Sequence, residues 1–354
     1  MKVLRVVRYS LLMLIVISLL SQSCKKETSN PIVLSVNNST AGNLYSSLPS
    51  GYFKTITTLV LSGNIDVRDF IILRDSMPNL TVLSLKDATI NAYTYRFGTA
   101  NADSLSYPAN AIPDGAFYNI KTQKGKTSLT AVAIPSTATI IGNNAFNGCT
   151  ALKTVTASSI YSIGTYAFYN CSVLSSFTVP VSVSSIGNYA FANCKSLNAV
   201  SIPAYVSLID NYTFDGCKAL ITVNSANPIY SSISGVLLDK SEATIIHCPL
   251  AIAGDYEVPL TVTSIANNAF NDCSSITSIS FPSTLISLGN NVFIGCTNIN
   301  SITVNASKPI DLTSSINVFS GINTASCVLN VPQGSKAAYQ SANQWSSFTN
   351  IVEF

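Results

Sequence analysis

The chain has 354 residues, of which 47% are hydrophobic and only 10% charged, where an ordinary soluble domain carries roughly 25% charge. Its 19 Lys and Arg exceed its 16 Asp and Glu by 3, and Lys2, Arg5 and Arg8 supply the whole excess; past residue 23 the balance is zero, which leaves no basic face for nucleic-acid phosphates. The apolar content excludes a disordered chain, the single histidine, His247, excludes a two-histidine metal site, and length alone suggests two domains.

Residues 1–23 read as an export signal. Three basic residues precede an apolar run from Leu11 to Leu20, too short for the roughly 20 residues that span a bilayer. Leu20-Ser21-Gln22-Ser23-Cys24 resembles a bacterial lipobox. The resemblance implies cleavage before Cys24 and acylation of that cysteine, where more than one chain is needed at about 0.8 kcal/mol per buried methylene. Residues 24–35, with Lys25, Lys26, Glu27 and Pro31, read as a flexible tether.

Residues 36–110 are an irregular section with apolar positions from Ile56 to Leu61 and at Met77, Leu80, Leu83 and Leu85. The stretch with Asp66, Asp69 and Asp75 reads as a cap helix with a solvated acidic start and face, in preference to a catalytic carboxylate pair.

From 111 to 305 the chain repeats. Phe146, Phe168, Phe191 and Phe214 are spaced 22, 23 and 23, with Cys149, Cys171, Cys194 and Cys217 three residues behind. After a gap of 56 the pattern resumes at Phe270/Cys273 and Phe293/Cys296. Such a unit cannot bury its apolar positions alone; stacking puts Phe on Phe and Ile on Ile in one continuous core. Trios such as Leu197, Val200 and Ile202 before Pro203 alternate as strands, and proline ends them. Gly142, Gly164 and Gly187 suit a tight corner. Asn143, Asn188, Asn211, Asn267 and Asn290 share a column expected to satisfy corner backbone groups down the stack. The excess in the long gap, near 225–257, alternates as a β-hairpin. Residues 306–354, with Tyr339, Trp345, Phe348 and Ile351, read as a cap over the open end.

The unit Ile-Pro-x-x-Val-x-x-Ile-Gly-x-x-Ala-Phe-x-x-Cys-x-x-Leu-x-x-Val-x-Ile resembles the BspA-type (treponema-type) leucine-rich repeat of Bacteroidetes-like surface lipoproteins. The resemblance implies a leucine-rich-repeat solenoid, horseshoe-like and β-rich with short helical or 3-10 turns, capped at both ends. One elongated array then replaces two domains. It implies a monomeric, lipid-anchored protein of the outer membrane, facing outward. Adhesion or protein recognition follows, toward host matrix proteins or other bacterial surfaces. A glycan-binding component of a nutrient-capture system is the alternative.

Nine cysteines in an exported chain invite a disulfide framework. Column neighbours lie about 4.8 Å apart, close enough to bridge, but they point the same way and each has two equal neighbours. Buried free thiols are the favoured reading. No phosphate-binding loop, nucleophile elbow or cofactor motif is present, and His247 with Cys248 in an extended segment point to opposite faces; the chain reads as non-enzymatic, without cofactor or metal. Function must come from surface. The strands' solvent side offers Thr154/Thr156, Ser176/Thr178, Ala199/Ser201, Thr222/Asn224, Ser278/Ser280 and Ser301/Thr303, while Tyr166, Tyr189 and Tyr212 share one column as a candidate binding stripe for sugar rings or protein. Asp75-Ser76-Met77 and Asp103-Ser104-Leu105 look like O-glycosylation sites of Bacteroidetes exported proteins.

Overall fold

The computed structural model describes residues 31–49, 51–96, 104–210 and 212–354; the export signal and Cys24 lie outside the described residues. The repeats wind into a β-solenoid whose coils each add short strands to parallel ladders. One ladder orders Val33–Asn38, Thr58–Ile65, Val82–Ser84, Ala131–Ala133 and Thr154–Thr156; a second orders Ala111–Ile112, Ile140–Ile141, Ser162–Ile163, Ser185–Ile186 and Leu208–Ile209. Register is set by like side chains. Ile112, Ile141, Ile163, Ile186 and Ile209 stand one above the next, because any slip would turn this row out of the core.

Inside, Phe117, Phe146, Phe168, Phe191 and Phe214 form a continuous stack with centroids 5.2, 5.2, 5.1 and 5.8 Å apart. Behind it the repeat cysteines are buried and free. Each thiol donates to the carbonyl of the coil before it, as Cys171 does to Phe146 and Cys194 to Phe168, both at 3.2 Å, and Cys217 to Phe191 at 2.9 Å. The column therefore also anchors one coil to the next. Burial raises the Cys171 and Cys194 thiols and pushes Cys149 up to about 12.

Four boundaries differ from the sequence reading. The tether ends early: Val33–Asn38 is already paired, Val33 with Thr58 and Val36 with Leu61, because Leu34 and Val36 reach the core. The array does not close at 305. Phe319 stacks on Phe293 at 6.1 Å and continues the aromatic row into the cap, where Trp345 and Tyr339 are fully buried. Trp345 Nε1 donates to Ile310 O and Tyr339 OH to Ala306 O, so both rings enter the core with their polar ends satisfied. Ser175–Val179 is not a strand; Phe177 there, where neighbours carry Val155 and Val200, packs on Phe168 and Phe191 at 5.0 and 5.3 Å. The insertion is a hairpin, Tyr230–Ile233 with Val236–Asp239, plus a third antiparallel strand, Thr244–His247, whose other edge starts a new parallel ladder with Ser264–Ile265 and Ser287–Leu288.

Candidate functional site

Every regular coil turns the same corner between its ladder isoleucine and its core phenylalanine. The glycine after the isoleucine is required by approach rather than by turn geometry. A Cβ on Gly164 would lie 2.7 Å from Asn143 N, and one on Gly187 2.7 Å from Thr165 N. Three asparagines of the column satisfy the next coil's backbone, Asn143 Oδ1 accepting from Thr165 N at 2.9 Å, Asn267 Oδ1 from Asn290 N at 2.7 Å and Asn290 Oδ1 from Ile316 N at 2.8 Å, whereas Asn188 Oδ1 is buried without a partner among the described residues and Asn211 lies outside them.

The left-handed turn falls two residues after the glycine. Asn144, Asn268 and Asn291 occupy it with φ 55°, 57° and 53°, and in the consecutive coils between them Tyr166, Tyr189 and Tyr212 do so with φ 57°, 54° and 57°. Asparagine tolerates this region; a bulky side chain pays about 1–2 kcal/mol there. The three rings stack almost parallel, at 5.1 Å and 2° and then 4.8 Å and 6°, each stack returning about 0.5–1.5 kcal/mol. Packing thus offsets the strain without exceeding it. Stacking also covers the inner ring faces. Tyr166 and Tyr189 present edges and hydroxyls to solvent, and Tyr212, the most exposed at 36%, keeps one face uncovered by a tyrosine.

Beyond Tyr212 the corner is missing. Ile245 takes the ladder-isoleucine rung opposite Ile265. Cys248 takes the phenylalanine rung, its N–H donating to Ala269 O at 2.7 Å as Phe168 N–H donates to Ala190 O. Regular coils place four residues between these rungs, Gly164 to Ala167; the inserted coil places only Ile246 and His247. The corner it skips leaves a cavity of about 190 Å³ lined by Tyr212, Phe214, Asp215, Ile246, His247 and Asn268, among others. Its rim is bridged twice, by Asn268 Nδ2 donating to Tyr212 OH at 2.9 Å and Asn271 Nδ2 donating to Asp215 Oδ1 at 2.7 Å. Burial raises the Asp215 carboxyl. His247 is half-buried as a residue, yet its Nε2 is enclosed and has no hydrogen-bond partner; burial lowers its pKa to about 4 and keeps it neutral.

The other residues singled out in the sequence are dispersed. Asp66 and Asp69 are not a solvated face: both are buried in a reciprocal capping box at the start of helix Val67–Asp75. Asp69 also accepts from Gly42 N and Leu44 N, 2.6 and 2.9 Å away. Asp75 pairs with Arg74, which holds its carboxyl below the usual range. Cys248 is buried, its thiol directed at Pro249 O. Ser76 is a half-buried helix C-cap, Ser104 is exposed, and Asp103 lies outside the described residues. Along the strands Thr154, Thr156, Ser176, Thr178, Ala199, Ser201, Thr222 and Asn224 are exposed, whereas Ser278, Ser280, Ser301 and Thr303 are half-buried, with Asp255 accepting from Ser278 Oγ and Asn330 donating to Ser301 Oγ. Among the described residues no group of three or more His, Cys, Asp or Glu is placed to hold a metal ion. The short coil and its orphaned nitrogen escaped sequence reasoning; the only signal was the lone histidine inside the insertion.

Comparison with solved structures finds the same architecture. A leucine-rich repeat protein from Eubacterium ventriosum is 22% identical, with 74% of this chain and 78% of that one covered at a TM-score of 0.50. The pneumococcal vaccine antigen PcpA is 15% identical over 70% of this chain and 85% of that one, TM-score 0.45. A leucine-rich repeat protein of T. pallidum is 21% identical over 76% and 83%, TM-score 0.35. No curated protein sequence matches the chain. The family model for the BspA type leucine rich repeat region matches six copies across residues 110–234 and 253–349, and the chain, matched over more than half its length and wound as those repeats require, belongs to the BspA-type leucine-rich-repeat family.

Proposed function

We propose that this chain is a non-enzymatic recognition protein of the cell surface, held off the outer membrane by a lipid on Cys24 and using its solenoid for protein recognition of the adhesive kind. The observation that carries the reading is the tyrosine column. Three consecutive coils accept left-handed tyrosines where asparagine serves elsewhere, and the strain has no excess stabilisation to explain it. What the substitution supplies is a rigid row of ring edges and hydroxyls about 5 Å apart, from a residue type enriched in binding hot spots. Binding of the purified chain to arrays of matrix proteins and bacterial surface proteins tests this. The triple variant Tyr166→Asn, Tyr189→Asn, Tyr212→Asn is expected to lose the hits; full retention removes the column from the interface. Protease sensitivity on intact cells tests the outward location.

Glycan binding is the second reading. The specific observation in its favour is the outer face of Tyr212, uncovered by another tyrosine and opening on a polar cavity. Hits confined to glycans overturn the protein reading.

A further inference from the structure

The chain is neutral past residue 23, but its charge is not spread evenly. From Gly115 to Ile209 there are five lysines and no Asp, Glu or Arg. Lys126 is buried, its Nζ donating to Met77 O, while Lys121, Lys124, Lys153 and Lys195 are exposed. Two of these, Lys124 and Lys195, line one groove. It follows the column of cysteines. Lys126 takes the cysteine position in the first coil, its N–H donating to Phe117 O as Cys149 N–H donates to Phe146 O. The next residue in each coil is Thr127, Thr150, Ser172 and then Lys195, so the row crosses four coils, three strand spacings or roughly 15 Å from end to end.

One wall is the small hairpin of Tyr118–Asn119 and Lys124–Gly125. It sits hard against the next coil, since a Cβ on Gly125 would clash with Asn147 O and Gly148 O. The groove holds about 390 Å³, inside the roughly 300–1,000 Å³ of ligand sites. Among the described residues, none of the polar side chains lining it, from Lys124 through Thr150 and Asn170 to Lys195, hydrogen-bonds within the fold. Elsewhere the same residue types bind the neighbouring coil, as Ser182 does Ile160 O and Asn298 does Ser274 O. No Asp or Glu lines the groove, and the ion pairs among the described residues, Arg68 with Asp66 and Arg74 with Asp75, involve neither lysine.

The lining is hydroxyl, amide, glycine and the two lysines, with no aromatic or aliphatic anchor. Protein interfaces anchor on aromatic and apolar side chains, and single-stranded nucleic acid stacks its bases on aromatic rings; this groove offers neither. What it supplies is a run of hydrogen-bonding groups with unopposed positive charge on the hairpin wall and on the fourth coil. The complement is a chain of hydroxyls carrying anionic groups at intervals. We propose that the groove between Lys124 and Lys195 is a binding site for a linear acidic polysaccharide, its hydroxyls on Thr127, Thr150, Asn170 and Ser172 and its carboxylate or sulfate groups on the two lysines. The inference deepens the glycan reading by naming the class of glycan, and rests on it. The site lies after the core phenylalanine of each coil, where the tyrosine column lies before it.

The test measures binding of the full chain at about 0.15 M salt, where distant surface charges are screened. The probes are polygalacturonate (carboxylated), dextran sulfate (sulfated) and neutral dextran, with oligothymidylate and polyglutamate as anions that are not sugars. At least one of the two acidic polysaccharides is expected to bind, and which one does identifies the anionic group. The double variant Lys124→Gln, Lys195→Gln is expected to weaken it at least about tenfold, two charge-assisted hydrogen bonds being lost. Thr150→Trp, which fills the groove from an exposed position and leaves the charge alone, is expected to weaken it as much. Lys54→Gln with Lys308→Gln, the same charge removed from exposed positions outside the groove, is expected to change nothing. All these sites are exposed, and an unchanged thermal midpoint confirms the fold. No binding of either acidic polysaccharide up to about 1 mM sugar, equal binding of oligothymidylate or polyglutamate, or binding that survives Thr150→Trp each overturns the proposal. Retention of neutral glycans alone on an array overturns the groove while leaving the glycan reading intact; no glycan retention at all removes both.

Discussion

Asn268 Nδ2 and the Tyr212 hydroxyl meet at 2.9 Å although 56 residues separate them. They are corner residues of coils that flank the short one, and the hydrogen bond spans the corner it lacks. Without the inserted strand Thr244–His247 the two would be stack neighbours, as Tyr189 and Tyr212 are. The insertion thus divides the ladder of short strands, one sheet ending at Leu208–Ile209 and the next holding Thr244–His247, with Thr244 and Ile245 in register with Ser264 and Ile265.

The balance of strain and stacking at the corner makes a prediction about stability. Tyr189 stacks on both sides, and Tyr189→Asn removes two contacts of about 0.5–1.5 kcal/mol while relieving about 1–2 kcal/mol of left-handed strain. Urea denaturation should register a change under about 1 kcal/mol. Phe191→Ala, two residues on and fully buried, should cost about 3–5 kcal/mol. Equal losses in the two variants would make the column a packing device and remove the ground for assigning it to binding.

The cysteine column predicts a thiol count. Cys149, Cys171, Cys194, Cys217, Cys248, Cys273, Cys296 and Cys327 are all buried and free, and burial raises Cys171 and Cys194 and pushes Cys149 up to about 12. Alkylation at neutral pH, which needs thiolate and access, should leave the native chain unmodified at these eight positions. In denaturant without reductant all eight should react, read by mass. A bridged pair would appear as two missing modifications.

How much of this was legible in the sequence depends on how local the cause is. The stack was legible because Phe and Cys return at 22 or 23 residues and nothing but stacking buries them. The asparagine ladder was legible for the same reason: Asn143 and Thr165 are one coil apart, and Asn267 and Asn290 repeat the bond, although Asn188 does not. The left-handed corner was not, because tyrosine hides a position that asparagine alone would have betrayed. The short coil was hidden too. Alternation in Thr244–His247 announces a strand but not that its far edge pairs with Ser264–Ile265, and only that pairing shows two residues missing. Asp69 read as solvated because its partners Gly42 and Leu44 lie 27 and 25 residues upstream, where nothing periodic points to them.

That long-range anchoring gives Asp69 a predicted weight. Its carboxylate accepts from the backbone N–H groups of Gly42, Leu44 and Asp66, tying the first loop to the cap helix. Burial raises its pKa against the lowering by these three bonds. Asp69→Ala leaves three donors without a partner, and at about 1–3 kcal/mol for each one left buried a loss of roughly 3 kcal/mol is expected, since part of the loop can open to water. Amide exchange at Gly42 and Leu44 should accelerate before the rest of the solenoid responds. A loss under about 1 kcal/mol would show that the loop is held by Leu44 packing instead.

The single histidine predicts how stability depends on pH. Burial lowers His247 from 6.5 to about 4 in the folded chain, so the unfolded state takes up a proton first. Above pH 6.5 both states are neutral at this residue and its contribution to stability is complete. Between pH 6.5 and about 4 only the unfolded state is protonated, and stability falls by about 1.4 kcal/mol per pH unit. Asp215 opposes this trend in part, because burial raises its pKa and protonation then favours the folded state. The difference between the native chain and His247→Leu isolates the histidine, as the sequence contains no other. Denaturation midpoints measured from pH 7.5 to 4.5 should diverge, with the variant losing less. Superimposable curves would mean that water reaches the imidazole in the folded chain.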